Sequence, residues 1–308
     1  MRVLITCPPM LGMKEQFVPL LAAHGIEAIC PDVVQTLSVA ELCELVPTVD
    51  GWIIGDDPAT AEVFKAGKAG ALRAAVKWGI GVDNVDFAAC KALGIPITNT
   101  PGMFGAEVAD IGLGYVIALA RQTFAIDRSI RDGHWPKKRG ISLGGKTAGV
   151  IGYGDIGSNL AKRLSACNMN VVAWDPGKSN ITDGYASLAR WPEGIHQCDF
   201  LVFTCALNDQ NFHMLDMQTL DKCKDGVRIV NVARGPLIDE CAIEQALEHR
   251  KVHSVALDVF EIEPLPMTSS LRSHPLCILG SHNASNTLDA VEKTNTRAIK
   301  QLCDFLGV

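Results

Sequence analysis

The sequence contains no apolar run that approaches the roughly 18 residues needed to span a membrane. Its first six residues, Met1 to Thr6, read as a strand and lack the longer apolar stretch of a signal peptide. The formal net charge of −6 argues against nucleic acid as the main partner. These absences predict a water-soluble protein with neither a membrane nor a nucleic-acid partner.

Paired cysteines are also lacking. Eleven cysteines are scattered along the chain without a Cys-x-x-Cys pair, and no spacing of cysteine or histidine suggests a metal site. Several lie in apolar segments, among them Cys198, Cys205 and Cys277, as reduced core cysteines do. We therefore expect a cytoplasmic protein without a bound metal.

A glycine-rich turn is the first positive signal. Residues 152–157 have the pattern Gly-x-Gly-x-x-Gly, directly after a short apolar strand and before a helical pattern. Such glycines permit a tight turn, close approach of the backbone to a pyrophosphate, and close packing of helix on strand. The helix N-terminus would face the phosphates with its N–H groups. The alternative is a glycine-rich turn that only packs.

An acidic residue supports the dinucleotide interpretation. A second apolar run, at 171–174, ends at Asp175, which lies 175 − 157 = 18 residues beyond the last glycine. The expected spacing for an acid that bonds the adenosine ribose is about 20 residues. A carboxylate there would also repel a 2′-phosphate, so NAD is favoured over NADP.

Three residues near the C-terminal third, Arg234, Glu263 and His282, could move a hydride and a proton on a small anionic keto acid. Arginine holds a carboxylate or carbonyl oxygen with two parallel hydrogen bonds. Histidine exchanges a proton near neutral pH, and a carboxylate orients the imidazole. Each of the three has a purely structural alternative, and Glu261 competes with Glu263 for the role of the histidine's partner.

Strands alternate with helices along the chain, which predicts parallel sheets with helices on both faces. We place strands near 2–6, 26–30, 50–54, 73–77, 95–98, 147–151, 171–174, 199–204, 227–231, 253–257 and 276–279. Helices are expected near 13–24, 38–45, 59–67, 85–92, 106–121 and 286–306. The simplest arrangement is two α/β domains: a substrate domain at 1–99 plus 285–308, and a nucleotide domain at 100–284. We expect the substrate in a cleft between them.

The chain resembles the D-isomer-specific 2-hydroxyacid dehydrogenase family over essentially its whole length, and most of all its phosphoglycerate dehydrogenase branch. The segments that carry the resemblance lie at 79–86, 97–102, 132–135, 147–157, 231–235, 256–263 and 280–284. The resemblance implies a flavodoxin-like substrate domain, a Rossmann NAD-binding domain and a homodimer. It also implies the short form of the enzyme, without a C-terminal regulatory domain.

Residue roles follow from the same resemblance. Arg234 would grip the substrate, His282 would be the general acid/base, and Glu263 would be its partner. The loop Gly79-Ile80-Gly81 would offer N–H groups to the substrate carboxylate, and Asp258 would bond the nicotinamide amide. The remaining cofactor contacts would come from Gly152, Gly154, Asp155, Ile156, Gly157, Asp175, Cys205, Ala233, Arg234 and Ser285.

The sequence departs from the phosphoglycerate dehydrogenase pattern after the third strand. An Arg-Ser pair is typical there, but this chain has Asp56 and Asp57, a poor place for a phosphate dianion. Lys77 could supply a replacement charge. The implied reaction is oxidation of 3-phospho-D-glycerate to 3-phosphohydroxypyruvate or its reverse. The alternatives are reduction of glyoxylate, hydroxypyruvate or another short 2-keto acid and, in another class, an NAD(H)-sensing protein of corepressor type.

Overall fold

The computed structural model describes all 308 residues, which form two compact units. Unit 1 comprises residues 1–104 and 286–308, and unit 2 comprises residues 105–285. The boundaries predicted from the sequence, after residue 99 and before residue 285, lie five residues and one residue from these.

Unit 1 is built on a five-stranded parallel sheet with the order β2-β1-β3-β4-β5. Its strands are β1 (Arg2–Ile5), β2 (Glu27–Ile29), β3 (Gly51–Ile54), β4 (Ala74–Lys77) and β5 (Ile97–Asn99). Its helices are α1 (Pro8–Leu11), α2 (Lys14–Ala23), α3 (Val39–Leu45), α4 (Ala61–Ala69), α5 (Phe87–Leu93) and the terminal helix α11 (Leu288–Leu306). This strand order is that of the flavodoxin-like fold, as predicted.

Local sequence explains where the helices of unit 1 begin. Ser38 caps α3 in a capping box with Glu41, and the hydroxyl of Thr60 accepts the N–H of Val63 at the start of α4. Asp86 caps α5 in the same manner. A core that includes Leu4, Trp52, Ile54, Val63 and Phe64 lies between helices and sheet. Because all five strands are parallel, their carboxyl ends lie at the same end of the sheet.

Unit 2 contains a seven-stranded parallel sheet with the order β12-β11-β10-β9-β6-β7-β8. The strands are β6 (Thr147–Ile151), β7 (Asn170–Trp174), β8 (Ser187–Ala189), β9 (Phe200–Phe203), β10 (Val227–Asn231), β11 (Val252–Leu257) and β12 (Cys277–Leu279). The helices are α6 (Gly105–Arg121), α7 (Thr123–Arg131), α8 (Asp155–Ala166), α9 (Met217–Lys222) and α10 (Glu240–Glu248). Because β6 lies between β7 and β9, the chain changes direction across the sheet at β6. Nucleotides bind at this switch point in doubly wound sheets.

Two parallel-sheet α/β units are therefore present, and the predicted fold class is confirmed. The structure adds elements that the sequence reading did not specify, notably α7, α9, α10 and the edge strand β8. No helix is at once long enough and apolar enough to span a lipid bilayer.

Candidate active site

The glycine turn after β6 leaves room for a phosphate. Gly152 has a φ of 92°, which favours glycine, and a Cβ there would lie 2.7 Å from backbone atoms of Cys205. A Cβ on Gly157 would overlap the carbonyl oxygen of Gly152. By contrast, a Cβ on Gly154 would meet no heavy atom within 4 Å. The first and third glycines are thus required by packing, and the second opens the surface that a pyrophosphate would approach.

The side chain of Asp155 is directed along the protein surface. Its carboxylate lies against Gly105, at the start of α6, and its Oδ1 accepts a hydrogen bond of 3.3 Å from Nδ2 of Asn159. The N–H groups of a helix N-terminus favour a negative charge. At the start of α6 the carboxylate therefore has favourable surroundings of its own, although a carboxylate in the glycine-rich turn lies close to where a pyrophosphate would bind. Ile156 follows it in the first turn of α8.

Asp175 follows the last residue of β7, and backbone donors fix both of its carboxylate oxygens. Oδ2 accepts the N–H of Tyr153 at 2.7 Å, and Oδ1 accepts the N–H of Gly177 at 2.8 Å. Each carboxylate oxygen has a second lone pair, so both oxygens retain the capacity to accept a ribose hydroxyl. Tyr153 was not singled out from the sequence, although it lies inside the glycine motif.

The other predicted cofactor residues of unit 2 include Cys205, which follows β9 and backs the glycine turn. Burial raises the pKa of the Cys205 thiol to about 12, so the thiol is protonated at neutral pH. Ala233 lies buried in the turn after β10, and Ser285 is the last residue of the unit.

Arg234 is held by the turn that follows β10. The side-chain amide of Asn231 donates to the carbonyl of Arg234 at 2.7 Å, and its oxygen accepts the N–H of Ala233 at 3.0 Å. Nη1 of Arg234 donates to the carbonyl of Ala233 at 2.8 Å. Gly235 packs so closely on Phe260 that a Cβ would overlap the Phe260 carbonyl. Asn231 therefore positions Arg234, a role that its place in the motif Asn-Val-Ala-Arg-Gly could have suggested.

His282 and Glu263 form a direct pair. Nδ1 of His282 lies 2.8 Å from Oε2 of Glu263, and both side chains are largely buried. Oε1 of Glu263 accepts the N–H of Phe260 at 2.9 Å, which fixes the carboxylate. Glu261, the competitor in sequence, instead accepts the N–H of Glu240 at 2.9 Å and lies 3.3 Å from Nε2 of His213. The structure thus brings Glu263, and not Glu261, to His282.

Asp258 organises the loop that carries His282. Its carbonyl accepts the N–H of His282 at 2.6 Å, and its Oδ2 accepts the N–H of Ala284 at 2.8 Å. The hydroxyl of Tyr115 lies 3.5 Å from Oδ1. Burial, together with the Asp258 carboxylate, raises the pKa of Tyr115, so its hydroxyl stays protonated. Tyr115 is a second polar contact of the site that no motif indicated.

In unit 1, the predicted substrate loop follows β4. Gly79 has a φ of 113°, and its N–H donates to the hydroxyl of Thr100 at 2.8 Å. Asn99 holds the carbonyl of Ile80 through its side-chain amide at 3.1 Å. Because Thr100 takes the Gly79 N–H, the N–H groups of Ile80 and Gly81 are the loop's candidates for binding an anion.

Lys77 lies directly beneath this loop, and its charge is paired. Its Nζ lies 3.1 Å from Oδ1 of Asp56 and donates to the carbonyl of Trp78 at 3.0 Å. The Lys77 side chain is only 3% exposed. A Cβ added to Gly79 would lie 3.7 Å from this Nζ. Asp57 is fully buried and accepts hydrogen bonds from the hydroxyl of Thr6 and the N–H of Leu37. The replacement charge expected from Lys77 is therefore balanced by a carboxylate.

The fold and the glycine turn define a dinucleotide-binding protein, and the adjacent Arg, Glu and His side chains suit an oxidoreductase. A profile of the D-isomer specific 2-hydroxyacid dehydrogenase NAD binding domain matches residues 113–284. A hydroxypyruvate reductase from Thermotoga maritima is 34% identical over 87% of this chain and 88% of its own length. The chain belongs to the D-isomer specific 2-hydroxyacid dehydrogenase family, and it is an NAD-dependent oxidoreductase.

Other relatives differ in length or are known as structures. D-3-phosphoglycerate dehydrogenase from Archaeoglobus fulgidus is 32% identical over 94% of this chain, which spans 54% of that protein. The chain thus spans about half the length of such relatives. The TT0316 protein from Thermus thermophilus has a TM-score of 0.87 at 29% identity, covering 100% of this chain and 97% of that one. A glyoxylate reductase from Paecilomyes thermophila has a TM-score of 0.83 at 27% identity, covering 99% and 95%.

Proposed function

We propose that this dehydrogenase interconverts a short, unphosphorylated 2-keto acid, such as hydroxypyruvate or glyoxylate, and the corresponding 2-hydroxy acid, which has the D configuration where C2 is chiral. The observation that carries this proposal is the ion pair that buried Lys77 forms with Asp56 beneath Gly79. A phosphate dianion would need an unbalanced cation beside the substrate loop. Here the nearby cation is already matched by a carboxylate.

Electrostatic repulsion from Asp56 also favours an unphosphorylated substrate. A phosphate placed near the paired side chains would meet the Asp56 carboxylate as well as the Lys77 ammonium. In a partly screened site, repulsion by one carboxylate costs on the order of 1 kcal/mol or more. The relative from Thermotoga maritima named hydroxypyruvate reductase, which the chain matches over most of both lengths, agrees with this choice.

His282 is proposed as the general acid/base. Because Glu263 holds Nδ1, the proton exchanged with the substrate belongs on Nε2. In reduction, the protonated imidazole gives this proton to the carbonyl oxygen, and in oxidation the neutral imidazole takes it from the hydroxyl. The carboxylate of Glu263 stabilises the imidazolium and fixes the plane of the ring.

Arg234 is proposed to polarise the substrate carbonyl and hold the carboxylate. In this role the guanidinium would face the oxygen on which negative charge develops, and its planar, two-pronged donor geometry suits a carboxylate. In unit 1, the N–H groups of Ile80 and Gly81 are proposed to donate to the substrate carboxylate.

NAD, when bound, supplies the hydride acceptor and, in its reduced form, the hydride donor. The glycine turn with Asp155 and Ile156 is proposed to face the pyrophosphate, and Asp175 to accept the ribose hydroxyls. Asp258 is proposed to bond the nicotinamide amide, since the Tyr115 hydroxyl, at 3.5 Å, engages its Oδ1 only weakly. The remaining contacts are proposed for Cys205, Ala233 and Ser285.

The test is NADH oxidation by the purified chain with hydroxypyruvate, glyoxylate, pyruvate, oxaloacetate, 2-ketoglutarate and 3-phosphohydroxypyruvate. We expect the highest kcat/KM with hydroxypyruvate or glyoxylate. A second arm uses Asp56→Ser, which frees the Lys77 ammonium and should raise kcat/KM for the phosphorylated substrate relative to hydroxypyruvate. Glu62→Gln, a charge change on the exposed surface of α4, is the control and should leave this ratio unchanged.

The second candidate is oxidation of 3-phospho-D-glycerate or its reverse, because several relatives at 32% to 34% identity are named D-3-phosphoglycerate dehydrogenase. A clear preference of the wild type for 3-phosphohydroxypyruvate would establish it and refute the unphosphorylated assignment. In that case the exposed basic run at 137–139 becomes the source of the phosphate contact.

We also propose that the protein acts in the cytoplasm as a homodimer. All eleven cysteines are unpaired and six of them are buried, which fits a reducing compartment. The dimer is supported by apolar side chains exposed on α6 and α7.

A further inference from the structure

The loop between β7 and β8, residues 175–186, is fixed at two points by a single side chain and its backbone. The N–H of Tyr153 donates to Oδ2 of Asp175 at 2.7 Å. The hydroxyl of the same Tyr153 lies 2.9 and 3.0 Å from the two carboxylate oxygens of Asp183. One residue of the glycine turn therefore holds both the beginning of this loop and a point eight residues further on.

The hydroxyl of Tyr153 donates the hydrogen bond, and the carboxylate of Asp183 accepts it. Tyr153 is 4% exposed, whereas Asp183 is exposed, so the tyrosine lies beneath the loop that it holds. Burial and the hydrogen bond to Asp183 raise the pKa of Tyr153, which keeps the hydroxyl protonated and able to donate. Asp183 in turn accepts the N–H of Tyr185 at 3.0 Å, which orients its carboxylate. A hydrogen bond to a charged acceptor is stronger than one between neutral groups.

These contacts bear on Asp175 because it begins the same loop. Its Oδ1 accepts the N–H of Gly177, which is itself a loop residue. If the loop shifts, Gly177 moves with it, and the Asp175 carboxylate loses one of the two donors that set its plane. A carboxylate must keep that plane to accept two ribose hydroxyls at once.

We propose that Tyr153 and Asp183 form a positioning pair for cofactor binding, which we call the loop latch. The latch holds the β7–β8 loop so that Asp175 is oriented for the adenosine ribose of NAD. The latch acts only through Asp175 and the loop, so the inference rests on the ribose-binding role proposed for Asp175.

The test is the dissociation constant of NADH, measured by fluorescence titration of the full chain in the absence of keto acid. Tyr153→Phe and Asp183→Ala each remove the latch, and each should raise the dissociation constant about fivefold, the effect of losing one hydrogen bond. Asp183→Asn keeps an oxygen that accepts from the hydroxyl, so it should bind NADH more tightly than Asp183→Ala. The double variant Tyr153→Phe/Asp183→Ala should bind NADH no more weakly than Asp183→Ala alone, because Asp183→Ala already removes the contact with the Tyr153 hydroxyl.

Tyr185→Phe is the matched control, since it removes a tyrosine hydroxyl from the same loop and keeps both residues of the latch. The NADH dissociation constant of this variant should equal that of the wild type. In turnover, the latch variants should raise the KM for NADH and not the KM for the keto acid. A loss of stability alone would not produce this split.

An unchanged NADH dissociation constant in folded Asp183→Ala would overturn the latch, and this exposed position carries the test should Tyr153→Phe fail to fold. Asp175→Ala, titrated in parallel, separates the two levels of the argument. If Asp175→Ala weakens NADH binding and the latch variants do not, only the latch is refuted. If Asp175→Ala binds NADH normally, the ribose-binding role itself is wrong.

Discussion

At the scale of single residues, His282 combines an unusual backbone with a paired imidazole. Its φ is 54°, in the left-handed region that asparagine tolerates better than most residues. His282→Asn should therefore preserve the loop while removing the acid/base. We expect turnover to fall by about two orders of magnitude or more, with NADH affinity nearly intact. Steady-state kinetics and NADH titration check this, with exposed His196→Asn as control; normal turnover in His282→Asn would contradict the assignment.

Arg234 tests the need for a two-pronged cation. Lysine keeps the charge but cannot make two parallel hydrogen bonds to one carboxylate. Arg234→Lys should raise the KM of the keto acid and lower kcat together. Initial-rate measurements against keto-acid concentration check this, and Arg190→Lys, an exposed exchange elsewhere in unit 2, should behave as wild type. Normal kinetics of Arg234→Lys would remove the residue from the substrate site.

Cys205 tests the electrostatics beside the glycine turn. Because burial raises the pKa of its thiol to about 12, the reactive thiolate is a very minor species at pH 8. Iodoacetamide should therefore modify exposed Cys241 much faster than Cys205, as peptide mass spectrometry over a time course would show. Raising the pH should accelerate the reaction of Cys205 throughout the accessible alkaline range. Preferential labelling of Cys205 at pH 8 would contradict the raised pKa of its thiol.

The chemistry of these residues could be predicted from the sequence, and the family resemblance implied Glu263 as the partner of His282, but residue spacing alone left Glu261 as a competitor. Glu261 and Glu263 lie two residues apart in a loop, and no periodicity says which one turns toward a histidine. The choice follows from backbone contacts: Glu261 is engaged by the N–H of Glu240, and Glu263 by the N–H of Phe260. The same holds for Lys77, whose charge was visible in the sequence while its partner Asp56 was not assigned to it.

At the scale of elements, the glycine turn between β6 and α8 provides a matched pair of tests. Gly157→Ala would force the new Cβ into the carbonyl of Gly152, and overpacking of this kind costs about 1–3 kcal/mol. Gly154→Ala meets no neighbour and has a φ of −82° that alanine accepts. Thermal unfolding should show a loss of stability only for Gly157→Ala. NADH titration should show weaker binding for both variants.

Two results would contradict the roles assigned to Gly154 and Gly157. If Gly154→Ala binds NADH as tightly as the wild type, the open surface at Gly154 is not where the pyrophosphate approaches. Equal stability of Gly157→Ala and the wild type would mean that α8 can move away from β6 at little cost.

Regular alternation of apolar strands and helices made most elements predictable, since strands buried on both faces read as short apolar runs. Helix α7 was missed for a local reason. It begins at Thr123, and only Gln122 separates it from the end of α6 at Arg121. Gln122 breaks the helix because its φ is 55°. No glycine or proline marks that position, so the sequence offered no signal for the change of direction. Only the three-dimensional structure shows that α7 exposes the apolar side chains of Phe124 and Ile130.

At the scale of the whole molecule, both sheets place their chemistry at the carboxyl ends of parallel strands. In unit 1 these ends carry Asp56, Lys77 and the loop at 79–81, and in unit 2 they carry the glycine turn and the loops after β10 to β12. Doubly wound sheets bind ligands at this edge because crossover helices cover both faces of the sheet. The expected location of the site therefore follows from topology, whereas the proposed choice of substrate rests on single charges.

Exposed apolar side chains on α6, α7 and the following segment set the expected assembly. Ile111 and Ile117 are exposed on α6, Phe124 and Ile130 are exposed on α7, and Trp135 is 77% exposed. Several exposed apolar side chains on neighbouring elements are typical of an interface, and a stable dimer buries about 1,200–2,000 Å² in total. We therefore expect light scattering to give twice the chain mass of 33.0 kDa.

Introduction of charge on this surface tests the dimer directly. Ile117→Glu combined with Phe124→Glu would bury two unpaired carboxylates in the interface, which should shift the measured mass to that of one chain. Because both side chains are already exposed in the single chain, the fold itself should survive, as circular dichroism would show. Met267→Glu, at an exposed apolar residue outside this surface, should leave the dimer intact. A double variant that stays dimeric would place the interface elsewhere, because a pair of desolvated carboxylates costs more than most interfaces of this size can absorb.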